Sequence, residues 1–496
     1  MTGNIASLLP ADSKNRRRLV SDYAVLANTF CKVLEILMGI KSKGPSVDPT
    51  VVTEDDIKGV EQIFSFEPED LKPIFDKNSV GPFWLTKAGQ QEKLTFAWLT
   101  TVLPASCGQR MRFMFSRSTL LRQMLQDAIT APILRLKQSM TKLDRFPLKQ
   151  LIAMQLPTDD IDLKSVAVPR SSEWVLSVKD RDSPAVLEKS SQTREGSVRC
   201  LLVTPKRTGS AVVAPLVSDS KSLIFHIHGG AFMLGKPEML LFILNKYSKA
   251  VRVPILSVDY AKAPEHKYPA GLQDTLDAYM AVTSGASWVQ ELLGYHPSNV
   301  IVTGESSGGN FAILLAILLR MIQETGCSVV MPVGLSPLFP CSVPGPIASP
   351  SISMFSYDIA LPVSAMANVF AEYPPLDPPA HPGWHRREGR KEVLEQLKSR
   401  VKDPLFNALA GTHIDQLKDV KLSIIACEFD PILDNSVSIA RRWSAAGGEV
   451  RFRIAKSMAH GFVRKSGEVE EEIKWITDGM TQHLFPKTGN PTDSKE

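Results

Sequence analysis

The chain has 496 residues, of which 44% are hydrophobic and 22% charged, and its 57 basic and 52 acidic residues give a net charge of +5. This composition excludes a wholly disordered chain and supplies a sizeable core, and the small basic excess gives no reason to expect a nucleic-acid partner. Six cysteines without paired spacing, and no apolar run near the ~18 residues of a membrane span, indicate a reduced cytoplasmic protein.

Helical patterns dominate the N-terminal part of the chain. The segment DYAVLANTFCKVLEILMGI repeats apolar residues at spacings of three and four, and strand-like alternation is scarce through about Met154. The pattern predicts a mostly helical N-terminal domain over residues 1–156. The next stretch, residues 157–200, is polar and broken, and we interpret it as a connection between two domains.

Short strand-like segments alternate with helical ones after Lys221. We predict strands in SLIFHIH, PILSVDY, NVIVTG, VVMPVGL, LSIIACEFD and VRFRIAK, and helices in GLQDTLDAYMAVTS and VSIARRWSAAGG, among others. The alternation is typical of an α/β fold whose mainly parallel sheet carries helices on both faces. We assign this domain to residues 201–486, with an insertion around 344–400, and expect a disordered tail at 487–496.

A Gly-x-Ser-x-Gly pattern occurs within VIVTGESSGG, and only the register GESSG over residues 304–308 fits it. Small residues two before and two after a serine let a sharp strand-to-helix turn close around it. NVIVTG supplies the strand and NFAILLAILLRMIQ the helix. The pattern therefore predicts Ser306 as a nucleophile, with the backbone N–H of Ser307 at an oxyanion site. The alternative is a glycine-rich turn without activity.

The segment FHIHGGAF follows a predicted strand and contains His228-Gly229-Gly230-Ala231. Glycines let backbone N–H groups approach a developing negative charge without a Cβ in the way. This resembles the HGGG-type loop that completes an oxyanion hole. A tight turn without that role is the alternative.

Two later segments offer partners for the serine. The strand KLSIIAC ends just before Asp430, where a carboxylate can orient an imidazole, and His460 follows the strand VRFRI. The imidazole can accept the Ser306 proton and return it to the leaving alcohol. Asp434 competes for the acid role, but its helical position after Pro431 predicts an exposed side chain. The chain order Ser306, Asp430, His460 is the one expected for an α/β-hydrolase triad.

The segments HGGAF, SVDYAKAPEHKYPAGLQD, GESSGGN, EFDPILD and AHGF, in this order, resemble the hormone-sensitive lipase family of α/β-hydrolases over about residues 222–485. The resemblance implies a serine ester hydrolase that acts through an acyl-enzyme on neutral lipid esters such as diacylglycerol, cholesteryl or retinyl esters, without metal or cofactor. The site residues it implies are the nucleophile Ser306, the acid Asp430, the base His460, and the oxyanion N–H donors Gly229, Gly230 and Ser307.

The sequence departs from the pattern of that family at three positions. Ala231 stands where the third glycine of the HGGG loop is usual, which leaves both donor glycines in place. Glu305 and Ser307 flank the nucleophile where aspartate and alanine are usual. Because Glu305 keeps the charge and adds a methylene, its hydrogen bonds are expected to differ.

Other functions stay open on the same residues. A soluble carboxylesterase for short-chain or aromatic esters, an amidase or a deacetylase uses the same triad, and a non-catalytic ligand receptor uses the same fold. The segment RMRFMFSRSTLLRQMLQDAITAPILRLKQ, Arg110–Gln138, is basic and amphipathic. Such a helix either lies on a lipid surface, as a peripheral contact with a membrane or lipid droplet would require, or packs on the catalytic domain. A homo-oligomer is also open.

Overall fold

The computed structural model describes residues 160–206, 221–342, 369, 373–375, 400–461 and 470–486, except 171, 180–182, 192, 193 and 264. Four predicted features lie wholly or mostly outside these ranges: the helical domain over 1–156, its segment Arg110–Gln138, the insertion around 344–400 and the tail at 487–496. They stay predictions.

The described part of the chain alternates strands and helices. Its strands are β1 (Ile161–Pro169), β2 (Trp174–Ser177), β3 (Val186–Lys189), β4 (Ser197–Pro205), β5 (Ser222–Ile227), β6 (Ile255–Val258), β7 (Asn299–Glu305), β8 (Gly334–Leu338), β9 (Lys421–Phe429) and β10 (Val450–Ala459). Its α-helices are α1 (Leu241–Val251), α2 (Ala270–Thr283), α3 (Ser287–Leu293), α4 (Ser307–Glu324), α5 (Leu433–Ala445) and α6 (Glu470–Leu484).

Eight strands form one sheet in the order β1-β4-β6-β5-β7-β8-β9-β10. The strands from β6 to β10 pair in parallel, whereas β4 pairs antiparallel with both β1 and β6. The prediction of a mainly parallel sheet is confirmed. Every residue of β5 and of β8 is buried, as expected for strands covered on both faces.

Helices cover both faces of this sheet. One face packs against α2, α4 and α5 in a core that includes Phe225 and Val302. The other packs against α1 and α6 through Ile224 and Ile301. Neighbouring residues of a strand point to opposite faces, so each central strand contributes to both cores. Among the helices of the described ranges, none has the length and the hydrophobicity that a membrane crossing would take.

Residues 157–200 were interpreted as a connection, and the structure corrects this. The chain enters the sheet at Ile161, and all nine residues of β1 pair with β4 in register from Ile161↔Pro205 to Pro169↔Ser197. As a strand at the sheet edge, β1 buries only Ile161 and Val168. A strand with so little burial lacks the apolar alternation that marks strands in a sequence.

Candidate active site

The GESSG turn lies between β7 and α4. Ser306 has φ 56° and ψ −118°, a positive φ that non-glycine residues rarely adopt. The turn presses against the end of β5: a Cβ added at Gly304 or Gly308 would come within 2.4 or 2.0 Å of the Ile227 carbonyl oxygen. Both positions therefore require glycine, and the sharp strand-to-helix turn predicted from the pattern is the one observed.

Three side chains from distant parts of the chain meet at this turn. Nε2 of His460 lies 2.9 Å from Oγ of Ser306, and Nδ1 of His460 lies 2.8 Å from Oδ2 of Asp430. Asp430 and His460 follow β9 and β10, whose parallel pairing brings their carboxyl ends to one edge of the sheet. The three residues form a hydrogen-bonded chain with the geometry of a nucleophile, a base and an orienting acid.

Burial and a backbone bond fix the acid end of this chain. Asp430 is fully buried, and its Oδ1 accepts a hydrogen bond from the Ile432 N–H at 2.9 Å. Only Oδ2 therefore faces the imidazole. On the other side, the ring of Phe339 meets that of His460 edge-on at 4.9 Å. The His460 ring is thereby oriented by contacts at both its nitrogens and its edge.

The loop after β5 passes directly beside the serine. A Cβ added at Gly229 would lie 2.7 Å from the Glu305 carbonyl oxygen and 3.4 Å from Cβ of Ser306. At Gly230, with φ +143°, it would lie 1.9 Å from the Leu234 carbonyl oxygen. Glycine is thus required at both positions, and the predicted oxyanion loop adjoins the predicted nucleophile.

The side chains of His228 and Tyr260 stack on each other and bond to the backbone of this loop. The two rings stack with centroids 4.3 Å apart, and the Tyr260 hydroxyl donates to the His228 carbonyl at 3.0 Å. Burial, followed by the Lys262 charge, lowers the pKa of His228 to about 3. The ring is therefore neutral near pH 7, and its Nδ1–H donates to the Gly229 carbonyl at 2.9 Å.

Ser307 is the first residue of α4 and is fully buried. The first N–H groups of a helix have no partner within the helix, so this amide is available to a ligand. The Ser307 hydroxyl points elsewhere, at 3.5 Å from the Tyr260 hydroxyl. The two adjacent serines therefore have different surroundings: the Ser306 hydroxyl lies against His460, and the Ser307 hydroxyl lies against Tyr260.

Comparison with known families matches residues 224–464 to the family described as alpha/beta hydrolase fold. This range includes Gly229, Ser306, Asp430 and His460. Residues 224–464 therefore have the α/β-hydrolase fold.

Several relatives of this α/β-hydrolase are esterases or lipases. It is 23% identical over 264 residues to the ethyl acetate hydrolase of Pseudomonas putida, a match that covers 53% of this chain and 73% of that enzyme. It is 29% identical over 154 residues to human hormone-sensitive lipase, covering 31% of this chain and 14% of that protein. An esterase of Acinetobacter venetianus is 33% identical over 118 residues, which are 24% of this chain and 35% of the esterase. The resemblance to the hormone-sensitive lipase family is confirmed.

Among solved structures, an esterase of Pyrobaculum calidifontis is similar with a TM-score of 0.50 and 19% sequence identity, over 74% of this chain and 97% of that one. At this identity the likeness concerns the fold. It agrees with the prediction of an α/β-hydrolase, which the sheet order already supports.

Asp434 corrects one prediction about this α/β-hydrolase. It was expected on an exposed helix face, but it is fully buried in the first turn of α5. The first half of α5 is buried on nearly all sides, so helical position alone did not indicate exposure. The choice of Asp430 over Asp434 as the partner of His460 agrees with the 2.8 Å contact.

Two neighbours of the site were not predicted from the sequence. The Cys341 N–H donates to the Ser306 carbonyl at 3.0 Å, and the Cys341 thiol is buried. Burial, with the nearby Asp430 charge, raises the pKa of that thiol to about 12, so it stays protonated. The second neighbour is the buried His226, which is hydrogen-bonded to Glu305. Two sequence signals pointed to this bond, a polar residue within an apolar strand and a glutamate at 305 where aspartate is usual, but neither identified the partner.

Proposed function

We propose that this α/β-hydrolase is a serine ester hydrolase with Ser306 as nucleophile, His460 as base and Asp430 as orienting acid. The observation that carries the proposal is the unbroken pair of hydrogen bonds at 2.9 and 2.8 Å from Ser306 through His460 to Asp430. The loop of Gly229 and the start of α4, both beside the serine, supply backbone N–H groups on the side where an ester carbonyl would develop charge.

The proposed reaction has two halves. Oγ of Ser306 attacks the ester carbonyl carbon while Nε2 of His460 takes the hydroxyl proton, and the carbonyl electron pair moves onto oxygen. The N–H groups of Gly229, Gly230 and Ser307 stabilise this oxyanion. When it collapses, the alkoxide leaves with the proton from His460, and an acyl-enzyme remains. Water then gives a proton to His460 as it attacks the acyl carbon. When this second oxyanion collapses, the bond to Oγ of Ser306 breaks, His460 returns the proton to that oxygen, and the acid is released.

For the substrate we propose neutral lipid esters, namely acylglycerols such as diacylglycerol, or cholesteryl and retinyl esters. The similarity to hormone-sensitive lipases from human and cattle supports this class. Leu234 and Met239, which follow the oxyanion loop, each leave 40% of their surface exposed. Exposed apolar side chains in the segment that follows this loop are compatible with an apolar substrate and with peripheral contact with a lipid surface.

A carboxylesterase for short-chain esters is the second candidate. It is favoured by the similarity to an ethyl acetate hydrolase, which extends over 73% of that enzyme. This match covers a larger share of both proteins than the match to human hormone-sensitive lipase does. The two candidates share their chemistry and differ in the length of the acyl chain that they accept.

Hydrolysis of diacylglycerol and of p-nitrophenyl esters of increasing acyl length tests both candidates. We expect Ser306→Ala to lower kcat for every ester by at least about 1,000-fold. Ser307→Ala is the matched control and should keep activity, because it removes the neighbouring hydroxyl and leaves the N–H. A preference for long acyl chains supports the lipase, and a preference for acetate or butyrate supports the esterase. Wild-type protein without turnover of any ester contradicts the proposal and favours a non-catalytic receptor.

A further inference from the structure

A buried chain of polar side chains lies beneath the Ser306 turn. The Glu305 carboxylate, at the end of β7, has its oxygens 3.0 and 3.1 Å from Nε2 of His226 on β5. Nδ1 of the same ring lies 2.7 Å from Oγ of Ser257 on β6. Each of these residues is at most 3% exposed. The chain thus crosses the three central strands β7, β5 and β6.

The three side chains share one face of the sheet. Ile224, Ile255 and Ile301 belong to the core beneath α1 and α6, and residues an even number of positions along a strand point the same way. His226 and Ser257 follow their isoleucines by two positions, and Glu305 follows its own by four. A carboxylate in such an apolar layer is costly unless it is hydrogen-bonded. The Glu305 carboxylate is therefore strongly favoured in the position where it is hydrogen-bonded to His226.

This bond connects the two segments that flank the proposed oxyanion site. The β5–β7 ladder ends at the pair Ile227↔Gly304. Beyond it, β5 continues into the Gly229 loop and β7 into Ser306. Glu305 directly follows Gly304, the last paired residue of β7, and His226 directly precedes Ile227, the last paired residue of β5. Their side chains fasten the two strands together at the point where both leave the sheet.

We propose that Glu305 is a positioning residue: its bond to His226 holds the Ser306 turn at a fixed distance from the oxyanion loop. The inference rests on the proposed ester hydrolysis, in which the attacking oxygen and the N–H groups must act on one carbonyl. A misplacement of ~1 Å between such groups costs on the order of 100-fold in rate. The extra methylene of glutamate, compared with aspartate, gives the carboxylate its reach to His226.

The test compares Glu305→Ala, Glu305→Asp and Glu305→Gln with wild type, measuring kcat, KM, melting temperature and Ki of a trifluoromethyl ketone, which forms a tetrahedral adduct on a serine. We expect Glu305→Ala to lower kcat and weaken the ketone by about 10- to 100-fold, with KM little changed. Glu305→Asp should show a smaller loss of the same kind. Glu305→Gln should recover most of kcat, because its amide oxygen accepts the same hydrogen bond.

Thr303→Val is the matched control for stability. Thr303 lies two residues earlier on the same strand and face, and its hydroxyl donates to the buried Ser336 carbonyl at 2.7 Å. Its loss should lower the melting temperature and leave kcat near wild type. If wild type is active, either of two results overturns the inference. One is unchanged kcat and Ki in both Glu305→Ala and Glu305→Asp, and the other is a loss of kcat in Thr303→Val equal to that in Glu305→Ala. A wild type without ester turnover overturns the proposed function, and the inference with it.

Discussion

Gly308→Ala is expected to damage activity far more than stability. Its Cβ would lie 2.0 Å from the Ile227 carbonyl oxygen, so the two segments must separate by about 1 Å to reach the 3.0 Å that real Cβ contacts respect. Ile227 leads into the oxyanion loop and Gly308 belongs to the helix that starts beside Ser306. A shift of ~1 Å between them predicts a loss of kcat on the order of 100-fold.

The stability cost is smaller because two effects oppose each other. Overpacking costs about 1–3 kcal/mol, whereas alanine gains about 1 kcal/mol over glycine in a helix. Gly309→Ala is the control, since its Cβ would lie no closer than 3.1 Å to any neighbour. The assay is kcat for a p-nitrophenyl ester together with urea unfolding of both variants. Wild-type kcat in Gly308→Ala, or equal losses in the two variants, would refute the reasoning.

Two further predictions concern protonation. Asp430→Asn should lower kcat by roughly 10,000-fold with little change in melting temperature. The Ile432 N–H would keep its bond to the amide oxygen, so the amide NH₂ would donate to Nδ1 of His460 and the ring proton would move to Nε2. A kcat near the wild-type value would contradict this. Burial lowers the pKa of His483 to about 3 in the folded protein. As pH falls from about 6.5 towards 3, the unfolded chain therefore binds a proton at His483 that the folded protein does not bind, and stability is lost in that window. His483→Gln should reduce this loss by about 2–3 kcal/mol at pH 4.5 in urea unfolding. Equal pH slopes in this variant and in the wild type would refute the assignment.

The sequence predicted the Ser306 turn because its constraints are local. A serine at a strained φ between a strand and a helix needs small neighbours, and the pattern over residues 304–308 contains them. Asp430 and His460 each follow a predicted strand, which places them at one edge of a parallel sheet, and their order after Ser306 is the one expected for an α/β-hydrolase triad. These are the parts of the site that spacing and strand order can determine.

Contacts between distant segments were not predictable in the same way. The bond between His226 and Glu305 depends on the register of β5 against β7, which no local pattern fixes. The edge strand β1 was missed because it buries too few side chains to show alternation. The strand predicted in VVMPVGL begins later, at Gly334, and continues through Pro337, a residue that normally argues against a central strand.

The most direct test of the account is the site of covalent modification by a fluorophosphonate, mapped by mass spectrometry of peptides from the full-length protein. We expect a phosphonyl adduct on Ser306, none on Ser307, and a greatly slowed reaction in His460→Ala. An adduct on Ser307, or a rate of labelling that does not depend on His460, would contradict the central claim that His460 activates the Ser306 hydroxyl.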